Sequence, residues 1–290
     1  MSAARIGFFW ALASAVSFGL MSWLVHATPR VPPAQIALLR GLAGLAILTP
    51  LVWRRLPTLR GASSGFLWLR ALSGAGSILC YYWNLQHTSV GTSKALQDLA
   101  PIFVALFSLY VLRERLSGRT GSGIALAIAG ALAIGVRGAV PPTLPVFAVG
   151  LLGAVAAAAA FLSLRAAAVE HSPELVVWTL CAASSVVSAF ALRGEWEPLG
   201  LRDAGFVVGV ALTGLAGQLW MTRAYQHLTA SVASALGLTA LLWGVLFEVA
   251  GSGARPSPWD WSGYALILLG AILLRGSASK PTPGSPDEEM

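Results

Sequence analysis

The sequence predicts an all-α integral membrane protein of ten transmembrane helices, arranged as two inverted five-helix repeats. Three observations predict it. Of 290 residues, 56% are hydrophobic and only 11% charged, with a mean hydropathy of +0.73, whereas a soluble globular chain carries roughly 25% charged residues. Apolar runs of about 18 residues or more recur along the whole length, separated by clusters of charge and turn formers. The chain also matches itself, without a gap, at an offset of 140 residues.

The apolar runs place spans at 6–26, 34–53, 65–85, 91–112, 120–136, 146–168, 174–192, 204–226, 231–252 and 260–275. The first run, Ile6–Val25, is too long for a signal-peptide core of about 7–15 residues, and no small-residue cleavage site follows it. Connections are short and hold the turn formers: Pro29, Pro32 and Pro33; Pro57; Pro141, Pro142 and Pro145; Pro256 and Pro258. Residues 276–290 are polar, Pro-rich and expected to form a disordered cytoplasmic tail. Cys80 and Cys181 both fall inside spans and read as small buried hydrophobes.

The net charge of +7 does not indicate nucleic acid, because the Arg residues stand singly or in short clusters between apolar runs, as topology determinants do. With the N-terminus in the cytoplasm, the inner side holds Arg5, Arg54, Arg55, Arg60, Arg113, Arg115, Arg119, Arg165, Arg275 and Lys280. The outer side holds Arg30, Arg137, Arg193, Arg202 and Arg255. This asymmetry puts both termini inside, in a multi-pass protein of the inner (plasma) membrane.

The internal match is dense. QH at 86–87 recurs at 226–227, GF at 65–66 meets 205–206, and SGIALAIAGA at 122–131 meets SGYALILLGA at 262–271. From Gly65 to Ile134, 21 of 70 aligned positions are identical, which is the mark of a duplication. The repeats divide the chain into 1–137 and 138–275. Five spans per copy make the second copy enter the membrane upside down, and inverted repeats are a recurrent transporter design with the site near mid-membrane where the halves meet.

Four stretches carry a family resemblance: ALQDLAPIFVALFSLYVLRERLS at 95–117, GSGIALAIAGALAIG at 121–135, LLWGVLFEVAGSGARPSPW at 241–259 and SGYALILLGAILL at 262–274. In these the chain resembles the drug/metabolite transporter superfamily, specifically proteins with two EamA-type repeats. The likeness covers nearly the whole chain up to residue 275. It implies a secondary transporter of a small organic metabolite, an amino acid or related amphiphile first, working by alternating access and favouring export. Nucleotide-derived or flavin-like metabolites, with uptake, are the alternative. The chain departs from the family pattern twice. The first copy ends its fourth span with Leu112–Arg113–Glu114–Arg115, but the aligned position of Glu114 is Ala254, and Glu248 stands six residues earlier, where the family more often has a small residue.

Ionisable groups within spans cost about 2.5–3.5 kcal/mol each at mid-helix and are functional candidates. Arg40 and Asp98 lie about 10 Å below the outer boundary at 1.5 Å per residue, and Glu248 falls in the same outer half. Lys94 and Asp98, four apart, share a helix face. Two charges of each sign at one depth suit a zwitterion: either Arg40 pairs with Asp98 and leaves Lys94 free, or the reverse. The plainer reading is that Lys94 snorkels to the interface and Asp98 merely pairs with it. Pro101 removes a backbone donor and is expected to kink span four just beyond Asp98. Trp220, Trp243 and Tyr82 join the substrate-binding candidates as aromatics inside spans, with lipid-facing or packing roles as the competing reading. Arg70 and Arg223 sit towards the cytoplasmic ends, where snorkelling accounts for them. His87 and His227, repeated at span ends, read as structural. Gly123 and Gly130, with counterparts Gly263 and Gly270, lie close to one helix face, which serves either packing within one chain or a homodimer contact.

The competing class is a membrane enzyme. GASSG at 61–65 matches G-x-S-x-G but lies in a loop leading into a membrane helix, not in a strand–turn–helix setting. No HExxH, P-loop or Cys/His metal spacing occurs, so no enzyme activity, cofactor or metal is expected. A non-transporting receptor or assembly subunit is the third class. The expected partners are a small-molecule substrate and the lipid bilayer.

Overall fold

The computed structural model describes residues 3–60, 64–88, 90–100, 103, 104, 107, 118–136, 143–253 and 257–277. In chain order these form α1 (Ala3–His26), α2 (Pro33–Val52), a 3-10 turn (Trp53–Arg60), α3 (Ser64–His87), α4 (Val90–Gln97), α5 (Gly118–Val136), α6 (Leu144–Glu170), α7 (Pro173–Leu192), α8 (Leu201–His227), α9 (Ala230–Gly237), α10 (Ala240–Ser252) and α11 (Pro258–Ser277), with no strand among the described residues. Proline opens α2, α6 and α7, where the missing N–H has no helical partner to lose. Gly253, with φ 70°, closes α10, a left-handed cap that glycine adopts without a Cβ penalty.

Six stretches among the described residues are long and apolar enough to cross a membrane: Ala4–His26, Pro33–Leu56, Leu144–Glu170, Pro173–Leu192, Leu201–His227 and Val232–Ser252. The helix α3 is as long, at 24 residues, but spends positions on Arg70, Ser77, Asn84 and other polar residues that turn out to face inwards.

The offset of 140 residues is written into the helix boundaries. Pro33–Val52 corresponds to Pro173–Leu192, Val90–Gln97 to Ala230–Gly237, and α3 and α8 both end on the repeated histidine. The glutamine of the repeated QH explains its recurrence. Gln86 Nε2 donates to the Thr28 carbonyl at 3.3 Å and Gln226 Nε2 to that of Ala168 at 3.1 Å, and Thr28 and Ala168 are themselves 140 residues apart. Each copy thus ties its third helix to the end of its first.

Spans four and nine are not continuous helices, contrary to the sequence expectation. After α4 the chain turns at Asp98 and Leu99, and after α9 at Leu238 and Thr239, before a helix resumes. Bonds to the third residue back tighten both turns: Leu99 N–H to the Leu96 carbonyl at 3.3 Å, and Leu238 and Thr239 N–H to Ala235 and Leu236 at 3.1 Å each. Short 3-10 segments of this kind mark hinges in helices. Pro101 itself lies outside the described residues. The break precedes it and recurs in the second copy, whose corresponding residue is Leu241, so the interruption belongs to the repeat rather than to proline. Residues 61–63 of GASSG, the Leu112–Arg113–Glu114–Arg115 run, Ala254 and residues 278–290 of the tail also lie outside the described residues.

The halves interlock. The helix α1 packs along α8, and its repeat counterpart α6 packs along α3; α2 pairs with α7, and α5 with α11. Each half therefore lends its first helix to the other half's third. Serines fasten the first of these seams: Ser14 and Ser17 on α1 donate to the backbone carbonyls of Gly217 (2.9 Å) and Thr213 (2.8 Å) on α8, polar bonds of the kind that join helices in lipid. At the α5–α11 seam a Cβ on Gly130 would stand 2.5 Å from the Gly263 carbonyl oxygen. The small-residue face thus joins two helices of the same chain.

Candidate functional site

Between the halves lies a cavity lined by α1, α2, α3, α4, α6, α8, α9 and the start of α10. Repeat counterparts meet across it: Met21 and Phe161, Ile78 and Gln218, Tyr81 and Met221, Lys94 and Ser234, and Gln97 and Gly237 all line the same space. The cavity is therefore shared between the copies, but among the described residues its charge comes from one of them. Arg40, Arg70, Lys94 and Asp98 all belong to the first half.

Each charged side chain is held by local structure. Arg40, on α2, is buried and lies beside the Tyr82 hydroxyl, which donates in turn to Met21 Sδ at 3.3 Å. Its guanidinium rests against Gly214 of α8, where a Cβ would collide with Nε. Arg70, on α3, folds over Gly74 one turn further along, and a Cβ there would collide with Nη1. Its Nη2 donates to Gln218 Oε1 at 2.7 Å, while its buried Nε has no partner. Lys94 is bonded to Asp98 Oδ1 across one turn, and Asp98 Oδ2 is buried without a partner. Asp98 sits on the turn that ends α4. Gln97 donates to Ser77 Oγ at 2.9 Å, and Tyr81 shares a 2.8 Å bond with Ser22.

Gly74 and Gly214 are repeat counterparts, and the symmetry is informative. In one slot Arg40 fills the space over Gly214; in the other, the counterpart of Arg40 is Leu180, which stands 2.8 Å from a Cβ on Gly74. Arg70 occupies the remaining room from its own helix. Two equivalent slots thus both receive a guanidinium, by different routes.

Of the sequence candidates, Arg40, Lys94, Asp98 and Tyr82 line the cavity, and three do not. Glu248 lies eight residues beyond Ala240, about 12 Å along α10 at 1.5 Å per residue, and pairs instead with His26 Nε2 at 3.7 Å. Trp220 is half-buried but is not among the lining residues of α8, which are 218, 221, 224 and 225. Trp243 packs on Gly19 of α1 and is 37% exposed. The Arg40–Asp98 pairing does not form, since Lys94 takes the carboxylate, and Lys94 does not snorkel: its side chain is only 12% exposed.

Arg70 is the residue that sequence reasoning misplaced. It is 3% exposed and faces the cavity rather than the interface. Two signals were present: Arg70 lies six residues into its helix, and Gly74 four residues on leaves its side chain room to fold inwards. Gln218, which holds it, passed unnoticed because a single amide carries no charge signal. Arg223 does sit near a helix end, partly exposed, 3.5 Å from Glu174 and over the Trp10 ring.

The chain matches the EamA-like transporter family twice, over residues 5–136 and 144–276. It is 28% identical over 277 residues to the pseudopaline exporter CntI of Pseudomonas aeruginosa, covering 93% of each chain. It is 23% identical over 282 residues to solute carrier family 35 member G1 of Mus musculus, covering 91% of this chain and 76% of that one. A solved crystal structure shares the fold with a TM-score of 0.75 at 22% identity, over 94% of this chain and 97% of the other. With two matches spanning nearly its whole length, this multi-pass membrane protein belongs to the EamA-like transporter family, within the drug/metabolite transporter superfamily.

Proposed function

We propose that the chain is a secondary carrier of ten spans in two inverted five-helix halves, 1–137 and 138–275, that moves a small organic metabolite by alternating access. The observation that carries this reading is the cavity built from repeat counterparts of both halves, with buried charged side chains on its wall, since inverted-repeat transporters hold their substrates at the repeat interface. The paired turns at Asp98–Leu99 and Leu238–Thr239 supply broken helices at that depth, a further trait of such carriers. Arg40, Arg70, Lys94 and Asp98 bind the substrate, an amino acid or related amphiphile carrying both carboxylate and amine. Export across the inner membrane, with both termini cytoplasmic, follows the exporter named among the relatives and the Arg/Lys asymmetry.

A second reading, a nucleotide-derived or flavin-like substrate, draws on the aromatic part of the wall. The Phe161 and Tyr225 rings stand 6.0 Å apart and both face the cavity with Phe18. Counterflow in proteoliposomes loaded with a metabolite extract tests the carrier reading. Protein-dependent exchange of at least one labelled metabolite is expected, and its absence across the extract would assign the chain to an enzyme or assembly subunit.

A further inference from the structure

The charge on the cavity wall does not balance. Among the described residues three cations and one carboxylate line it, and Lys94 and Asp98 neutralise each other. Among the described residues no carboxylate lies within ion-pair distance of Arg40 or Arg70. Both are nevertheless buried, 7% and 3% exposed. Their polar neighbours, the Tyr82 hydroxyl and the Gln218 amide, are neutral and can orient a guanidinium without cancelling its charge. A guanidinium cannot escape by losing its proton, and an uncompensated buried cation is costly. The zwitterion balance anticipated from the sequence fails because Glu248 is committed to His26 and Arg70 takes a place on the wall.

We infer that the site selects a solute with two anionic groups, carboxylate or phosphate, one for Arg40 and one for Arg70. The planar fork of each guanidinium suits either oxyanion. The unpartnered Asp98 Oδ2 is the acceptor left for an N–H of the same solute. A free amino acid with a single carboxylate leaves one guanidinium unanswered. This inference rests on the carrier reading for transport, though not for binding.

The test is thermal unfolding of the purified full-length protein with matched probes: glutamate against glutamine, aspartate against asparagine, phosphoserine against serine, and pentane-1,5-diamine. A dianionic member is expected to raise the unfolding temperature where its partner of lower charge does not, and glutarate against glutamate reads the contribution of Asp98. Arg40→Gln and Arg70→Gln should each weaken that binding about 10- to 100-fold, the usual worth of a charge-assisted bond. Where a Gln variant does not fold, Arg→Lys at the same position keeps the charge and should retain the preference for the dianion at lower affinity. Stabilisation by the diamine or by the singly charged partners alone, or no shift with any dianion, overturns the inference. Counterflow separates the two failures. Exchange of a neutral or cationic solute that dianions do not inhibit removes the anion class and leaves the carrier, whereas dianion binding with no exchange of any solute removes the carrier and leaves the site.

Discussion

The guanidinium of Arg40 lies against the backbone of Gly214, so closely that no Cβ fits between them. A glycine on α8 therefore decides where a charge on α2 sits. The same device recurs at the corresponding Gly74, over which Arg70 folds. Removing either glycine should displace a cation without touching the cation itself.

Gly214→Ala should abolish or severely reduce transport and lower stability by about 1–3 kcal/mol, the usual cost of overpacking. Gly76→Ala is the control, because a Cβ there meets nothing within 4 Å. Flux and thermal unfolding of the two variants side by side check the expectation. Equal flux in both would show that Arg40 tolerates displacement.

Asp98 is buried and the Lys94 side chain is only 12% exposed, so single removals should be worse than the double. Asp98→Asn strands a buried ammonium, a loss of about 3–5 kcal/mol, and should abolish transport with the protein still in the membrane. Combining it with Lys94→Gln should recover part of the stability and none of the transport. A double-mutant cycle measures the coupling, and strictly additive losses would mean the pair has no energetic substance.

Glu248 and His26 meet 3.7 Å apart, outside the cavity. Glu248→Gln should leave the affinity for any transported solute within about twofold, as separated sites behave nearly independently, while Arg40→Ala abolishes transport. Binding measured on the two variants discriminates. A large loss in Glu248→Gln would bring that carboxylate back into the site.

Repeat counterparts at exposed positions read the inversion directly. Arg30 corresponds to Glu170 and Arg55 to Glu195, and all four are exposed. In a background without Cys80 and Cys181, cysteines at Arg30 and Glu195 should react with impermeant reagent from outside, and those at Arg55 and Glu170 only from inside. Counterparts labelled from the same face would end the inverted arrangement.

At the α5–α11 seam, Gly130→Ala puts a Cβ 2.5 Å from the Gly263 carbonyl and should cost about 1–3 kcal/mol. Gly121→Ala, with open space around it, should be neutral to thermal unfolding. Equal melting of the two would deny the seam its role.

Much of the fold was legible because membrane helices announce themselves locally, through run length, hydropathy and the prolines and glycines at their ends. The duplication was legible from identities such as QH at 86–87 and 226–227. The breaks after Gln97 and Gly237 were not: LGLTA and QDLAP read as helix, and no second-copy proline marks the turn. Among site residues, charge density pointed to Arg40, Lys94 and Asp98, while Arg70 was assigned to the interface by its distance from the helix end.

The sequence by itself determined that the chain is helical, apolar enough for lipid, duplicated, and supplied with ionic groups inside its spans. Each of these is a property of composition or of spacing along one strand of text. Only the tertiary structure decided which of those groups share a space: Arg70 with Arg40 inside, Glu248 with His26 elsewhere, Trp220 off the cavity wall. The reason is rotational. Which face of a helix turns inward depends on its neighbours, and here those neighbours come from the other half of the chain.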